Sequence, residues 1–297
     1  MKTQIASLLA LVIFIVLHAE AQNRNRSDNM NVHTDGPVTD CRDIRVTFGS
    51  NPAITDQNEM SLPASQVSNL QAQMSTGGVF ITGWDRGEYS VKTCKAVPDD
   101  ANATGTLRDI VTNKAGSAQI SVSGPSDRTW TASLIIMVPR LSSMNVETRN
   151  GPLELRDLAG NIHLKATNGP ITLRNVGGVV ETTATNGPIS LSGVSGDQRI
   201  STSNGPVSLQ LSGNRWDGPG LEVSTKNGPL SIELPDAYSS AILIQTSDRS
   251  PMNCSAAACA GAYRNTSSPG VIQLGSGSPT VRLSSSNGPL SIRSAKN

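Results

Sequence analysis

Apolar and polar residues alternate on both sides of a tripeptide, Asn-Gly-Pro, that occurs six times in the chain. Counted from its Asn, aliphatic residues stand three and five positions later and, in most copies, four and six positions earlier. Mostly polar residues stand between them. This period of two predicts two half-buried β-strands for each copy, because a helix would need apolar residues three and four apart. The copies begin at Asn150, Asn168, Asn186, Asn204, Asn227 and Asn287.

The spacing of the copies predicts the architecture. The first four lie 18 residues apart, the fifth follows after 23 residues and the sixth after 60. Asn and Gly tolerate positive φ, and Pro cannot donate to a strand ladder, so the tripeptide should turn the chain. Gly160, Gly177-Gly178 and Gly196 supply a second turn. The sequence therefore predicts an all-β, parallel β-solenoid, similar to a right-handed β-helix, with coils of about 18 residues. A meander of Asn-Gly hairpins is the alternative.

Stacked coils would place each Asn directly over its counterpart in the previous coil. We therefore predict a buried ladder of Asn side chains with a structural role. The same register would align the inward aliphatic residues in columns, and one coil alone buries too little apolar surface to fold without its neighbours. The columns three and five residues after Asn are Leu153, Ile171, Ile189, Val207, Leu230 and Leu290, and Leu155, Leu173, Leu191, Leu209, Ile232 and Ile292.

The rest of the chain divides by composition. Residues 1–21 contain the positively charged Lys2, then an apolar run, then Ala19-Glu20-Ala21. This order of features predicts a cleaved secretory signal peptide. Residues 22–39 are rich in Asn and Arg and predict a disordered leader. Residues 40–139 predict an N-terminal cap of irregular strands and coils, in which 49–66 form a loop. Residues 140–297 are the regular repeat, with a cysteine-bearing insertion at 247–270.

In an exported chain the four cysteines are expected to form disulfides, because such bonds form in oxidising compartments. Cys254 and Cys259 are close enough in sequence for a local loop, which leaves Cys41 to pair with Cys94. A metal site is the alternative, but only His33 and His163 stand outside the signal peptide, and no cysteine spacing resembles a zinc motif.

Charge and motifs argue against several classes of function. The formal net charge of +1 gives no indication of nucleic acid or an anionic membrane as a partner. Right-handed β-helices also host polysaccharide lyases and hydrolases, so a polysaccharide-active enzyme is the alternative function. However, the outward acids occur singly, without paired carboxylates, a nucleophile elbow or a phosphate loop. We therefore predict a non-enzyme with no catalytic, cofactor or metal site. The acids are Glu147, Glu154, Asp157, Glu181, Glu222 and Glu233.

The outward positions of the repeat are rich in hydroxyl groups, which stacked coils would arrange in flat rows. Such rows could bind a polysaccharide or a cell-surface protein. The simpler interpretation is that Ser and Thr suit strands and keep an exposed sheet soluble. The predicted binding face comprises Thr167, Thr185, Ser203, Thr183, Ser201, Thr172, Ser190 and Ser208.

Several further motifs accompany the Asn-Gly-Pro coils, namely Gly83-Trp84-Asp85, Val138-Pro139-Arg140, Met144–Thr148 and Val281–Ser284. Together with the coils, these motifs resemble the bacterial putative adhesin family of β-strand-repeat proteins, a domain of unknown function that is similar to the head domains of putative autotransporter adhesins. The resemblance covers roughly residues 66–293 and implies a β-helix-like fold, an adhesin-like binding role and export to the periplasm, outer surface or extracellular space. The chain departs from the family in its uniform Pro after Asn-Gly and its Cys-bearing insertion.

Overall fold

The structure, a computed structural model, describes residues 30–247, 250–264 and 270–295. The described chain is all-β, with one short α-helix, α1 (Ala103–Asp109). The predicted signal peptide, residues 1–21, lies outside the described residues. In the part of the chain that the structure describes, no helix is both long and apolar enough to cross a membrane.

The described strands are numbered in chain order, and all but the first three belong to one large sheet. They are β1 (Met30–Thr34), β2 (Ile44–Phe48), β3 (Asn51–Pro52), β4 (Ile54–Pro63), β5 (Leu70–Thr76), β6 (Val79–Trp84), β7 (Glu88–Val97), β8 (Val111–Ala115), β9 (Gln119–Ser123), β10 (Thr131–Pro139), β11 (Met144–Asn150), β12 (Leu153–Asn168), β13 (Ile171–Asn186), β14 (Ile189–Ser192), β15 (Asp197–Asn204), β16 (Val207–Gln210), β17 (Gly220–Asn227), β18 (Leu230–Leu234), β19 (Ile242–Thr246), β20 (Met252–Cys254), β21 (Tyr263–Arg264), β22 (Val271–Leu274), β23 (Val281–Asn287) and β24 (Leu290–Ser294).

The central repeats, from β11 to β18, pair in register with one another. Ile171 lies opposite Leu153 and is followed in the ladder by Ile189 and Val207. Every strand pairing within residues 144–234 is parallel. The hairpin alternative is therefore wrong for this stretch.

The side chains inside these layers form one continuous core. Leu173 and Leu191 are 0 % and 2 % exposed, as the alternating pattern predicts. A further inward column, which was not predicted from the sequence, consists of Leu158, Val176 and Val194, all buried. Burial of one such side chain contributes about 1.5–3 kcal/mol, and only stacking makes it possible.

Each regular layer has three turning points instead of the predicted two. The Asn-Gly-Pro turn and the Gly-rich turn are joined by a left-handed residue seven positions after Asn. Asp157 and Asn175 have φ of 56° and 54°, and Gly193 has φ of 61°. Asp, Asn and Gly are the residues that adopt this conformation most readily. The Asn175 side-chain amide donates to the Asp157 carboxylate at 2.8 Å, which links these turns across two layers.

At the N-terminal end, the order of layers in space differs from their order in sequence. β5 lies between β9 and β11, and β6 lies between β10 and β12, all in parallel. Along the sequence, the strands of the second layer, β5 and β6, thus come before the strands of the outermost layer, β9 and β10. Antiparallel β7 and β4 continue beside β10, and antiparallel β8 beside β9.

The C-terminal end repeats this exchange of order. The last Asn-Gly-Pro copy, in β23 and β24, inserts between the layer of β17 and β18 and the layer of β19 and β20. The predicted insertion at 247–270 is therefore partly wrong, because β20 within it belongs to the outermost layer. Residues 248–249 and 265–269 of that insertion lie outside the described residues.

A small second sheet packs against the N-terminal layers. It consists of β1, β2 and β3, which pair in antiparallel fashion. Its apolar side contacts Phe80 and Ile135, which face away from the main core. Two sequence predictions are wrong here: the leader at 22–39 contains β1, and the loop at 49–66 contains β3 and β4. β1 and β3 pair with β2, and β4 pairs with β7, and a local pattern does not reveal such partners.

A disulfide and a charged cluster attach this sheet to the strands below it. Cys41 is bonded to Cys94 on β7, and Cys254 is bonded to Cys259, so both predicted disulfides are confirmed. Beside the first, the Lys92 ammonium donates to the Asp40 carboxylate at 3.0 Å. Hydrogen bonds from Arg42 and then from Lys92 hold the pKa of Asp40 well below its usual range. The carboxylate is therefore ionised at neutral pH and bridges the two segments.

Candidate binding surfaces of the repeat

The Asn-Gly-Pro turns stack so closely that their Gly residues have no room for a side chain. A Cβ on Gly187 would lie 2.2 Å from the carbonyl oxygen of Gly169 in the neighbouring layer. The Gly187 amide in turn donates to the Asn204 carbonyl at 2.9 Å. The backbone φ of 143° at Gly187 is one that side-chain-bearing residues rarely adopt. The turn therefore sets the spacing of the layers at this edge.

The Asn side chains of these turns form a continuous hydrogen-bonded ladder. Asn168, Asn186 and Asn204 each donate from Nδ2 to Oδ1 of the Asn one layer earlier, at 2.9 Å. The ladder continues through Asn227 and Asn287, and it starts where Asn150 donates to the Ser75 carbonyl at 3.2 Å. These side chains are exposed, so the prediction of a buried ladder is wrong. The amides therefore satisfy one another at the surface.

We expect Asn186→Ala to destabilise the stack by about 1–3 kcal/mol, because one rung donates one hydrogen bond and accepts another. Urea unfolding followed by circular dichroism measures this loss. Thr185→Ala is the matched control, since Thr185 is the exposed neighbour and takes no part in the ladder. An equal loss in both variants would contradict a role for the amide ladder.

The outward side chains of the strands that lead into Asn-Gly-Pro form a surface that we name the pre-corner face. It contains two shallow depressions, of about 410 Å³ and 290 Å³. Charged residues line the first, where Lys165 Nζ lies 3.0 Å from Glu147 and His163 Nδ1 lies 3.2 Å from Glu181. Hydroxyl groups dominate the second, which is lined by Thr183, Ser201, Ser203, Ser224, Lys226, Ser284 and Ser286.

The outward side chains of the strands that follow Asn-Gly-Pro form the post-corner face. A depression of about 300 Å³ lies on it. One column of its lining stands four residues after Asn, and a second stands six residues after it. The lining side chains are Thr172, Ser190, Ser208 and Ser231 in the first column, and Arg174, Ser192, Gln210, Glu233 and Arg293 in the second.

The predicted binding face is therefore divided between two surfaces. Thr167, Thr185, Ser203, Thr183 and Ser201 stand one or three residues before an Asn of the tripeptide, whereas Thr172, Ser190 and Ser208 stand four residues after one. Thr172, Thr183 and Thr185 share β13, which turns between them at Asn175. The hydroxyl-lined depression of the pre-corner face and the depression of the post-corner face share no lining residue among those described. A ligand in one depression would not use the hydroxyls of the other. The separation follows from the turning points of the layer, because either Asn-Gly-Pro or the left-handed residue and the Gly-rich turn lie between the two sets of residues.

The second column of the post-corner face was not predicted from the sequence. Arg174 and Arg293 occupy the same position of the repeat, six residues after Asn, which is a signal that an alignment of the copies contains. Arg293 lies 2.7 Å from Glu233. In the described chain Arg174 takes part in no ion pair, although it is exposed beside the depression. The post-corner face thus presents one guanidinium that is available to a ligand.

Most of the acids considered as catalytic candidates are paired with a neighbour. Within residues 30–247, 250–264 and 270–295, no group of three or more His, Cys, Asp or Glu is arranged to hold a metal ion. Three of these acids form pairs at the surface, where such pairs contribute little to stability. Glu147, Glu181 and Glu233 contact Lys165, His163 and Arg293, Glu154 contacts Arg156, and Asp157 accepts from Asn175.

Comparison with known proteins gives only distant similarities. No protein-family profile matches the chain, and no curated protein matches it. A solved structure of a putative cell adhesion protein from Clostridium sporogenes is 11 % identical, covers 82 % of this chain and 100 % of its own, and has a TM-score of 0.33. A putative adhesin from Bacteroides fragilis is 10 % identical, covers 82 % of this chain and 97 % of its own, and has a TM-score of 0.35. Because these TM-scores are low, we infer function from the geometry of the chain itself.

Proposed function

We propose that this chain is an exported, non-enzymatic β-solenoid that acts as an adhesin-like binding or structural module in the cell envelope or outside the cell. The observation that carries the proposal is the alignment of outward hydroxyl groups in register over successive layers. Ser190 lies between Thr172 and Ser208 in the ladder, and Ser201 lies between Thr183 and Ser224.

A surface of this kind suits an extended, repeating partner. Parallel strands place equivalent side chains about 4.8 Å apart, which is of the order of one sugar ring or one short peptide step. Each hydroxyl both donates and accepts a hydrogen bond, so a row can match the hydroxyls of a polysaccharide or the backbone of a protein. The stacked core holds the rows rigid, which lowers the entropy cost of binding.

Export is supported by the two disulfides, since such bonds persist mainly in oxidising compartments. The signal peptide at residues 1–21 remains a sequence-based prediction. A non-enzymatic role is favoured by the pairing of most candidate acids with a basic or amide neighbour, because glycoside hydrolysis needs two carboxyl groups that face each other across the substrate.

A glycan array and a pull-down from cell-envelope extracts, both with the exported chain, test this proposal. We expect binding to an extended glycan or a surface protein. Ser201→Ala with Thr183→Ala should weaken it if the pre-corner face is used, and Ser190→Ala with Ser208→Ala if the post-corner face is used. Ser212→Ala with Ser276→Ala, at exposed positions outside the strands, is the control.

Two results would count against the proposal. The first is an absence of binding in both assays, which would exclude the binding role and leave only the structural one. The second is release of oligosaccharides from a polysaccharide panel, with the activity lost on substitution of one outward acid such as Glu222. The second result would establish the polysaccharide-active enzyme instead.

A further inference from the structure

The depression on the post-corner face has a floor made of hydroxyl groups, one from each layer. Thr172, Ser190, Ser208 and Ser231 occupy successive rungs of one parallel ladder. Because these side chains are short, the surface sinks beside the second column, whose Arg, Gln and Glu side chains are longer. A ligand in the depression would run along the stack, crossing the strands at right angles, and would meet one hydroxyl for each layer.

The second column supplies the walls and the charge. Arg174, Ser192, Gln210, Glu233 and Arg293 occupy successive rungs, so a guanidinium stands at each end of the column. Four layer spacings separate these two residues, which is about 19 Å. The space between them is lined by Ser192, Gln210 and Glu233 and admits several sugar rings in an extended chain.

The two guanidinium groups differ in how much charge they can offer. Arg293 donates to the Glu233 carboxylate at 2.9 Å, so its charge is largely neutralised. Arg156, which lies opposite Arg174 in the next layer, contacts Glu154. Arg174 has no carboxylate partner in the described chain and is exposed at the end of the hydroxyl floor. A guanidinium binds a carboxylate through two parallel hydrogen bonds, which makes Arg174 a receptor for an acidic group.

We propose that the post-corner depression binds a linear, carboxylate-bearing polysaccharide, with one uronic acid carboxylate on Arg174 and the following sugars on the hydroxyl floor. This inference rests on the proposed binding function and names its ligand class and face. Among the described residues that line the depression none is aromatic, and its two apolar residues, Leu191 and Leu209, are buried, so hydrogen bonds and charge supply most of the affinity. Binding should therefore weaken as the salt concentration rises.

Titration calorimetry with polygalacturonate and with its fully methyl-esterified form provides a matched pair of ligands that differ chiefly in charge. We expect the acid form to bind at least about tenfold more tightly at low salt, because hydrogen bonds to charged groups are the strong ones. Arg174→Gln should remove most of this preference, and Arg174→Lys should retain part of it.

Arg282→Gln is the control, because Arg282 is an exposed arginine on the pre-corner face and its substitution changes the net charge equally. We expect it to alter binding by less than about twofold. Equal binding of acid and ester, or equal losses from Arg174→Gln and Arg282→Gln, would overturn this inference. Binding of neutral glycans that Arg174→Gln does not change would also overturn this inference, but it would leave the proposed function intact. Thermal unfolding of each variant shows that the fold is retained.

Discussion

Gly187→Ala is expected to destabilise the protein by about 3–5 kcal/mol, although it adds only one methyl group. Two costs combine. The φ of 143° at Gly187 is strained for any residue with a Cβ, which costs about 1–3 kcal/mol. The new Cβ would also lie 2.2 Å from the Gly169 carbonyl oxygen, so the two layers must separate. Urea unfolding should show a lower midpoint, and amide exchange should accelerate around Asn168 and Asn204.

Gly36→Ala separates the two costs. Gly36 has a φ of 146°, and no atom of the described chain lies within 4 Å of the position that a new methyl group would occupy. In this variant the free energy of unfolding should fall only by the part that comes from backbone strain. Gly105→Ala, in α1 and also free of described neighbours, should leave stability unchanged or raise it by up to about 1 kcal/mol. If Gly187→Ala behaved like Gly36→Ala, close stacking of the turns would not be what requires glycine.

Removal of the Cys41–Cys94 disulfide is expected to have the second large effect. The bond closes a loop with a sequence separation of 53, which in the chain-entropy account corresponds to about 4 kcal/mol. Cys94 also lies in the apolar cluster beneath the small sheet, so its loss loosens that contact. The variant Cys41→Ser with Cys94→Ser should unfold at a clearly lower urea concentration than the wild type, in non-reducing buffer.

The second disulfide is the internal control. Cys254 and Cys259 have a sequence separation of 5, and the same account gives about 2 kcal/mol. Cys254→Ser with Cys259→Ser should therefore lose about half as much stability. A larger loss from this pair would show that the C-terminal layer depends on local geometry and not on loop closure. Under reducing conditions the wild type should approach the variant that lacks all four cysteines.

The exchange of layer order at both ends affects how the stack is closed. An open end of a parallel stack exposes a row of unpaired backbone groups, which can recruit another chain. Here the outermost layers are followed by antiparallel strands, β7 beside β10 and β22 beside β19. Each end also contains one disulfide. The first and last segments of the repeat, β5 with β6 and β23 with β24, are thereby held inside the stack and not at its ends.

Particular residues show where sequence reasoning succeeded and failed. Leu173 and Leu191 are buried because a strict period of two has only one consistent inward face. Gln198 occupies an apolar column and is 0 % exposed, and its amide donates to the Ser195 carbonyl at 2.6 Å. The amide also donates to the Val176 carbonyl of the neighbouring layer at 3.3 Å, and no local pattern indicates that partner. The third turn was missed even though its residues tolerate positive φ and recur at the repeat spacing.

The candidate surfaces were predicted less completely than the fold. Pattern alone identified outward hydroxyls, since a residue between two inward ones must point away from the main core. It did not separate the two faces, because that depends on how sharply Asn-Gly-Pro turns the chain. The pattern also did not identify Arg174, because Arg174 is a candidate only since no acid lies opposite it in the described neighbouring layers.

The sequence by itself determined the layer: its strands, its Asn-Gly-Pro turn, its inward columns and its register with the next copy. These follow from short-range chemistry that is repeated at a fixed interval, so each copy supports the interpretation of the others. Only the tertiary structure decided the order of the end layers, the pairing of the N-terminal strands, the exposure of the Asn ladder and the grouping of outward residues into two faces. These depend on contacts between distant segments, where several partners are compatible with the same alternating pattern.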